Sequence, residues 1–260
     1  MKLIFLGSGT SSGVPVVGCH CTVCTSSDAR NNRTRPSVLV QTGSGNILID
    51  ASPELRLQLL RERIDRVDAL LFTHYHADHI FGLDDVRVFH HALGRPLPVY
   101  AERAVQDVLR RSFSYVFDKW ADQVPGGGIP KLDLRTIDAR RPFEVLGVRC
   151  VPIRLLHGRF RVLGFRFGNL AYCTDVNRIP KRSMRLLQGL DVLILDALRD
   201  RPHPTHFSLD ESLEVVAQLR PRRCLLTHIA HELDHATTNA ALPPGVELAY
   251  DGLGIDFALP

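Results

Sequence analysis

The chain has 260 residues, 45% of them hydrophobic and 23% charged, with a formal net charge of +4 from 32 basic and 28 acidic side chains. Such a composition supports a sizeable core and excludes a disordered or fibrous chain. So mild a charge leaves no large footprint for duplex nucleic acid, although a small anionic substrate fits it.

No apolar run approaches a membrane span, and the opening MKLIFLGSGT is too short for a secretory signal, so a cytoplasmic protein is expected. Short apolar runs closed by turn residues predict strands in KLIFLG, SVLVQT, NILIDA, VDALLFT and LPVYA in the first half. Between the first two lies Gly18-Cys19-His20-Cys21-Thr22-Val23-Cys24, three thiols within six residues. In a reducing compartment that spacing favours a structural zinc needing one more ligand: His231, or its rivals His20 and His235. The glycine-rich 7–13 segment offers backbone N–H groups to an anion but lacks the lysine and spacing of a P-loop.

Ser52-Pro53-Glu54 reads as the start of a helix facing inward through Leu55, Leu59 and Leu60. Residues 102–117 and 178–188 are further helix candidates, His90 and His91 are placed on a solvated helix face, and 121–130 is a flexible loop by composition. Later strands are predicted in LDLRTI, VRCVPIRLL, LGFRFG, LAYCT, DVLILDA, RCLLT and IDFAL. Within these, Cys150, Cys173 and Cys224 read as buried free thiols. Ser208 to Glu211 forms a capping box ahead of a helix lined by Leu209, Leu213 and Val216. No linker separates two cores, so one strand-rich layered α/β domain spanning 1–260 is expected.

Four predicted strands end in residues of metal-ligand type. These ends are Thr73-His74-Tyr75-His76-Ala77-Asp78-His79, then His157, Asp175 and His228. In layered α/β folds the rim beyond the strand ends is where ligands bind, so these residues can converge there. Two residues apart in an extended segment, His74 and His76 point to one side and can grip one ion, while Asp78 and His79 face a second. Imidazole and carboxylate together suit zinc, manganese or iron.

THYHADH resembles the H-x-H-x-D-H signature of the metallo-β-lactamase superfamily. The resemblance implies an αββα sandwich with a dinuclear site: His74, His76 and His157 on one metal, Asp78, His79 and His228 on the other, and Asp175 bridging. It also makes Asp50, which ends NILID, the acid that steadies a ligand from behind. The glycine-cysteine motif is similar to the branch containing the cyclic-phosphoribosyl phosphodiesterase of the carbon–phosphorus lyase pathway. That likeness implies a structural zinc on Cys19, Cys21, Cys24 and His231, and a homodimer.

In the same branch a histidine matching His206 in order, and not a ligand, faces substrate, as phosphate binder or general acid. His203 nearby reads as an exposed loop residue. The middle of the chain, including SYVFDKWADQVPGGGIP, is longer than in that enzyme and leaves the substrate open. The expected activity is hydrolysis of a small, possibly cyclic, phosphodiester by a hydroxide shared between two zinc or manganese ions, with Asp78 orienting the nucleophile. Alternatives are a tRNA 3′-processing nuclease, a thioesterase, a lactamase, or a non-catalytic metal-binding protein linked to quinone cofactor biosynthesis. The nuclease wants an extended basic arm, which the sequence does not offer, and the lactamase an export signal.

Overall fold

The computed structural model describes residues 1–118 and 128–258. Its first half runs β1 (Lys2–Gly7), β2 (Ser37–Thr42), β3 (Gly45–Ile49), α1 (Leu55–Arg61), β4 (Ala69–Leu71), α2 (Ala77–Ile80), α3 (Phe89–Leu93), β5 (Leu97–Ala101), α4 (Arg103–Ser112), α5 (Ser114–Phe117) and β6 (Leu132–Thr136). The second runs β7 (Phe143–Val145), β8 (Val148–His157), β9 (Phe160–Phe167), β10 (Leu170–Cys173), α6 (Lys181–Leu186), β11 (Val192–Asp196), α7 (Leu209–Leu219), β12 (Arg223–Thr227), α8 (His235–Ala241), β13 (Val246–Leu248) and β14 (Gly254–Asp256). The strands form two sheets of seven, ordered β14-β1-β2-β3-β4-β5-β6 and β13-β12-β11-β10-β9-β8-β7.

The continuous apolar runs follow from burial on both faces. In β1, Leu3 and Phe5 enter the core shared by the sheets, whereas Ile4 and Leu6 enter the layer under α1 to α5. In β11, Ile194 faces the shared core and Leu193 and Leu195 pack toward α7. Successive side chains alternate across a strand, so a run of this kind needs cover on each side. Three apolar layers result, and the architecture is the expected αββα sandwich. Among the described residues no helix is long and apolar enough to cross a membrane.

Several local expectations are corrected. Helix α1 starts after Glu54, not Ser52, because the Ser52 hydroxyl bonds to the buried Gln58 side chain instead of capping; Leu60 is left exposed. The 102–117 helix breaks at Phe113 into α4 and α5. The buried stripe of α7 runs through Ser212, Val215 and Leu219, not Leu213, since the Ser212 hydroxyl donates to the carbonyl of Asp196 under the helix. His90 is buried rather than solvated, and the side chain of His91 lies outside the described residues. Most of the 121–130 loop also lies outside them. Strands β7 and β13, three residues each, carry too short a pattern to have been predicted.

Strands β3, β4, β5 and β6 are mutually parallel, as are β10, β11, β12 and β13. Their C-terminal ends therefore gather along a rim of each sheet.

Candidate metal centre

Along this rim the ligand atoms of His74, His76, His157 and Asp175 all lie within 4.8 Å of one another, and so do those of Asp78, His79, Asp175 and His228. Asp175 is common to both sets. Its Oδ2 is 3.1 Å from His79 Nε2, while its Oδ1 is 3.3 Å from His228 Nε2 and 3.9 Å from His74 Nε2. Asp78 Oδ2 adds contacts of 3.4 Å to His79 Nε2 and 3.6 Å to His228 Nε2.

The backbone delivers these groups at a cost. Asp50, Asp175 and His228 follow β3, β10 and β12 with φ of 62°, 54° and 60°. That left-handed region costs a non-glycine residue on the order of 1–3 kcal/mol, and Asp and His are among those found in it. The turn redirects each side chain from the sheet face into the rim. Helix α2 begins directly after the extended His76, which places Asp78 and His79 in its first turn, with the His79 ring 4.1 Å from that of His74.

Hydrogen bonds from behind then fix the rings. Asp50 accepts from the Thr73 N–H at 2.8 Å and its hydroxyl at 2.7 Å, and its Oδ2 lies 2.7 Å from His79 Nδ1. His157 Nδ1 lies 2.7 Å from the carbonyl of Thr205, and His74 Nδ1 3.0 Å from the Thr73 hydroxyl. With Nδ1 engaged, Nε2 is the atom each ring turns to the centre. The Nε2 atoms of His74, His79 and His228 are buried there with no hydrogen-bond partner.

A buried unsatisfied nitrogen costs about 1–3 kcal/mol, and a cation between imidazoles and carboxylates removes that cost. The electrostatics agree. Burial opposes charge on His79, yet Asp175, Asp78 and Asp50 raise its pKa well above the ordinary value; burial likewise opposes charge on His228, while Asp175 and Asp78 lift it to about 9. His74, also buried, is driven low by burial and by His79. A field that pulls protons onto buried imidazoles suits divalent cations, and these donor sets fit two of them.

His206 stands beside the sets. Its ring lies 4.4 Å from that of His157 and 4.6 Å from that of His228. Its Nδ1 is 2.7 Å from Asp196 Oδ2, so the other nitrogen turns toward the centre. Sequence reasoning missed Asp196, although it ends VLILD as Asp50 ends NILID; the repeated pattern of an acid closing an apolar strand was the available signal. It also missed Phe160, 44% exposed at the mouth, whose ring lies 5.2 Å from His76. Nothing in the spacing of residues announces that one.

The cysteine cluster closes as a second, separate set. His231 Nδ1 lies 3.2, 3.4 and 3.4 Å from the sulfurs of Cys19, Cys21 and Cys24, whereas neither rival, His20 nor His235, belongs to the cluster. The N–H of Cys24 donates to Cys21 sulfur and chiefly pulls its pKa down to about 6, which favours the thiolate a metal requires. Cys21→Ser is expected to remove one zinc per chain and leave the rim sets loaded; metal analysis of the purified protein checks the count.

A profile of the beta-lactamase superfamily domain matches residues 45–229. The crystal structure of a diphosphatase from the PhnP family is 44% identical with a TM-score of 0.92, covering 99% of this chain and 97% of that one. Zn(2+)-bound PqqB from Methylobacterium extorquens shares the fold at 22% identity and TM-score 0.79, covering 99% of this chain and 100% of that one. An octanoyltransferase of Porphyromonas gingivalis is 41% identical over 256 residues, which are 97% of this chain but 51% of that protein. The chain thus spans about half the length of that curated relative. With two histidine-carboxylate sets on one rim and this match over most of its length, the chain belongs to the metallo-β-lactamase superfamily.

Proposed function

We propose that the protein hydrolyses a P–O bond in a small phosphodiester, cyclic ones included, at the rim where Asp175 joins the two donor sets. That shared carboxylate is the observation that carries the reading, because a pair of ligand sets with one acid in common suits in-line displacement at phosphorus. His74, His76 and His157 would hold one zinc or manganese ion, and Asp78, His79 and His228 the other. Such ions supply Lewis acidity at the phosphoryl oxygens and acidify water.

The protein's own groups do the rest. Asp78, at the face of the second set, accepts a hydrogen bond from the attacking water and aims it. His206 donates a proton to the departing oxygen, held at the required angle by Asp196. Water adds to phosphorus and releases one proton to solvent, the P–O bond to the leaving group breaks, the leaving oxygen departs with the proton from His206, and solvent returns a proton to His206. The diphosphatase relative supports a second reading, cleavage of a P–O–P linkage by the same residues.

Purified full chain loaded with manganese or zinc should cleave bis(p-nitrophenyl) phosphate, and a panel of cyclic, linear and diphosphate esters ranks the two readings. Full metal loading without turnover of any P–O bond overturns both and favours a metal-binding protein without this activity. His206→Gln should lower kcat about 10²-fold or more for alkyl leaving groups and far less for p-nitrophenolate, which departs without a proton. An equal effect on both would remove the general-acid role and leave His206 as a phosphate binder. The homodimer belongs to the same proposal, and light scattering of the loaded protein decides it.

A further inference from the structure

A cavity of about 680 Å³ opens beside the candidate centre, where the ends of β5 and β6 meet β8, the start of β9 and α6. Five arginines line it: Arg103, Arg140, Arg154, Arg161 and Arg182. Only two acids face them. Glu102 is engaged by both terminal nitrogens of Arg154, and Asp138 lies 3.1 Å from Arg140. Arg103 turns to Asp107 in the next turn of α4, 3.2 Å away. Among the described residues Arg161 and Arg182 have no carboxylate partner, so the cavity wall carries a surplus of positive charge.

Like charges gathered in one concavity repel, and a surface without a use for them would place the arginines apart. Guanidinium groups from different elements converging on one space match a phosphomonoester dianion, whose three oxygens accept bidentate bonds from several sides. We infer that this cavity is a binding site for a phosphomonoester group, separate from the rim at which the P–O bond is cleaved. Its position gives it two sources of ligand. Arg161 pairs across the sheet with Leu156, the neighbour of His157, and Arg154 precedes His157 by three residues, about 10 Å of strand. Exposed Phe160, the neighbour of Arg161 in β9, has its ring 6.4 Å from that of His157. A small substrate with a phosphate at its far end reaches both places, and so does a free phosphorylated metabolite occupying the cavity alone.

The test uses the metal-loaded full chain with glycerol 3-phosphate as probe and glycerol as control. Phenylglyoxal modification mapped by mass spectrometry should show Arg161 and Arg182 protected by the phosphate and not by glycerol. Calorimetric titration should show that Arg161→Gln/Arg182→Gln loses one bound equivalent or binds it at least tenfold more weakly. Both positions are exposed, and an unchanged circular dichroism melt confirms that the variant is folded. Absence of protection, or the same stoichiometry and affinity in the double variant, overturns the site.

Adenosine 2′,3′-cyclic phosphate with and without a 5′-phosphate separates the sources. A KM lowered by the 5′-phosphate in the native chain, and not in the variant, assigns the site to the substrate. Equal KM values alongside arginine protection assign it to an independent ligand. Neither binding readout requires turnover, so failure of the phosphodiesterase reading would be seen separately.

Discussion

Asp175→Asn is expected to lower phosphodiester hydrolysis by at least about a hundredfold and to cut the metal bound at the rim. Residues that merely support metal ligands from behind commonly cost 10–100-fold when changed, and Asp175 lies within 4 Å of imidazole nitrogens from both sets, which makes that range a lower bound. Asn is the informative replacement. It keeps the shape, and it tolerates the left-handed backbone that Asp175 adopts at φ 54°, so the fold is undisturbed while one negative charge disappears.

That charge is a leading reason His79 and His228 attract positive charge despite burial. Metal analysis and activity should therefore fall together, with metal on the cysteine set retained. Full rim occupancy in the variant would show that Asp175 is not shared between two ions.

Much of this site was legible in the sequence because strand ends mark the rim of an α/β fold. THYHADH, His157, Asp175 and His228 each close an apolar run, and the grouping that the family resemblance implied is the one in which the structure brings their ligand atoms within 4.8 Å of one another. The supporting groups were harder to read. Thr205 contributes only its carbonyl to His157, which no side-chain pattern encodes. Asp196 reads as one more strand end until His206 is seen against it. The left-handed turns at Asp50, Asp175 and His228 were equally hidden, since glycine ordinarily announces such a conformation and none stands there.

The misplaced face of α7 has a similar cause. A buried serine satisfied by a carbonyl looks polar in sequence, so periodicity of apolar residues passes it by. The arginine cavity too escaped sequence reasoning, because its residues come from five elements and are unremarkable singly.

Arg33→Met is expected to destabilise the fold by about 3 kcal/mol, the sum of leaving two buried carbonyls without donors at about 1.5 kcal/mol each, toward the low end of the cost of such a group. Arg33 is only 1% exposed, and burial pulls its pKa down to about 10, so it remains charged at neutral pH. Its guanidinium donates to the carbonyls of Ala230 at 2.9 Å and Leu233 at 2.7 Å and to the Asn31 side chain at 2.9 Å.

Replacing whole buried ion networks by apolar residues is often neutral or stabilising, since every partner is exchanged together. Here two of the partners are backbone carbonyls that stay behind, which decides the sign. For a chain of this size roughly 2–4 °C of melting temperature accompanies each kcal/mol, so a drop of about 6–12 °C should appear in a thermal melt. The two carbonyls flank His231, and His228 lies two residues before Ala230. In protein loaded with zinc, loosening this loop should therefore release metal from the cysteine set to a chelator faster than in the native chain. A variant that melts lower while holding that metal as firmly would confine Arg33 to stability alone.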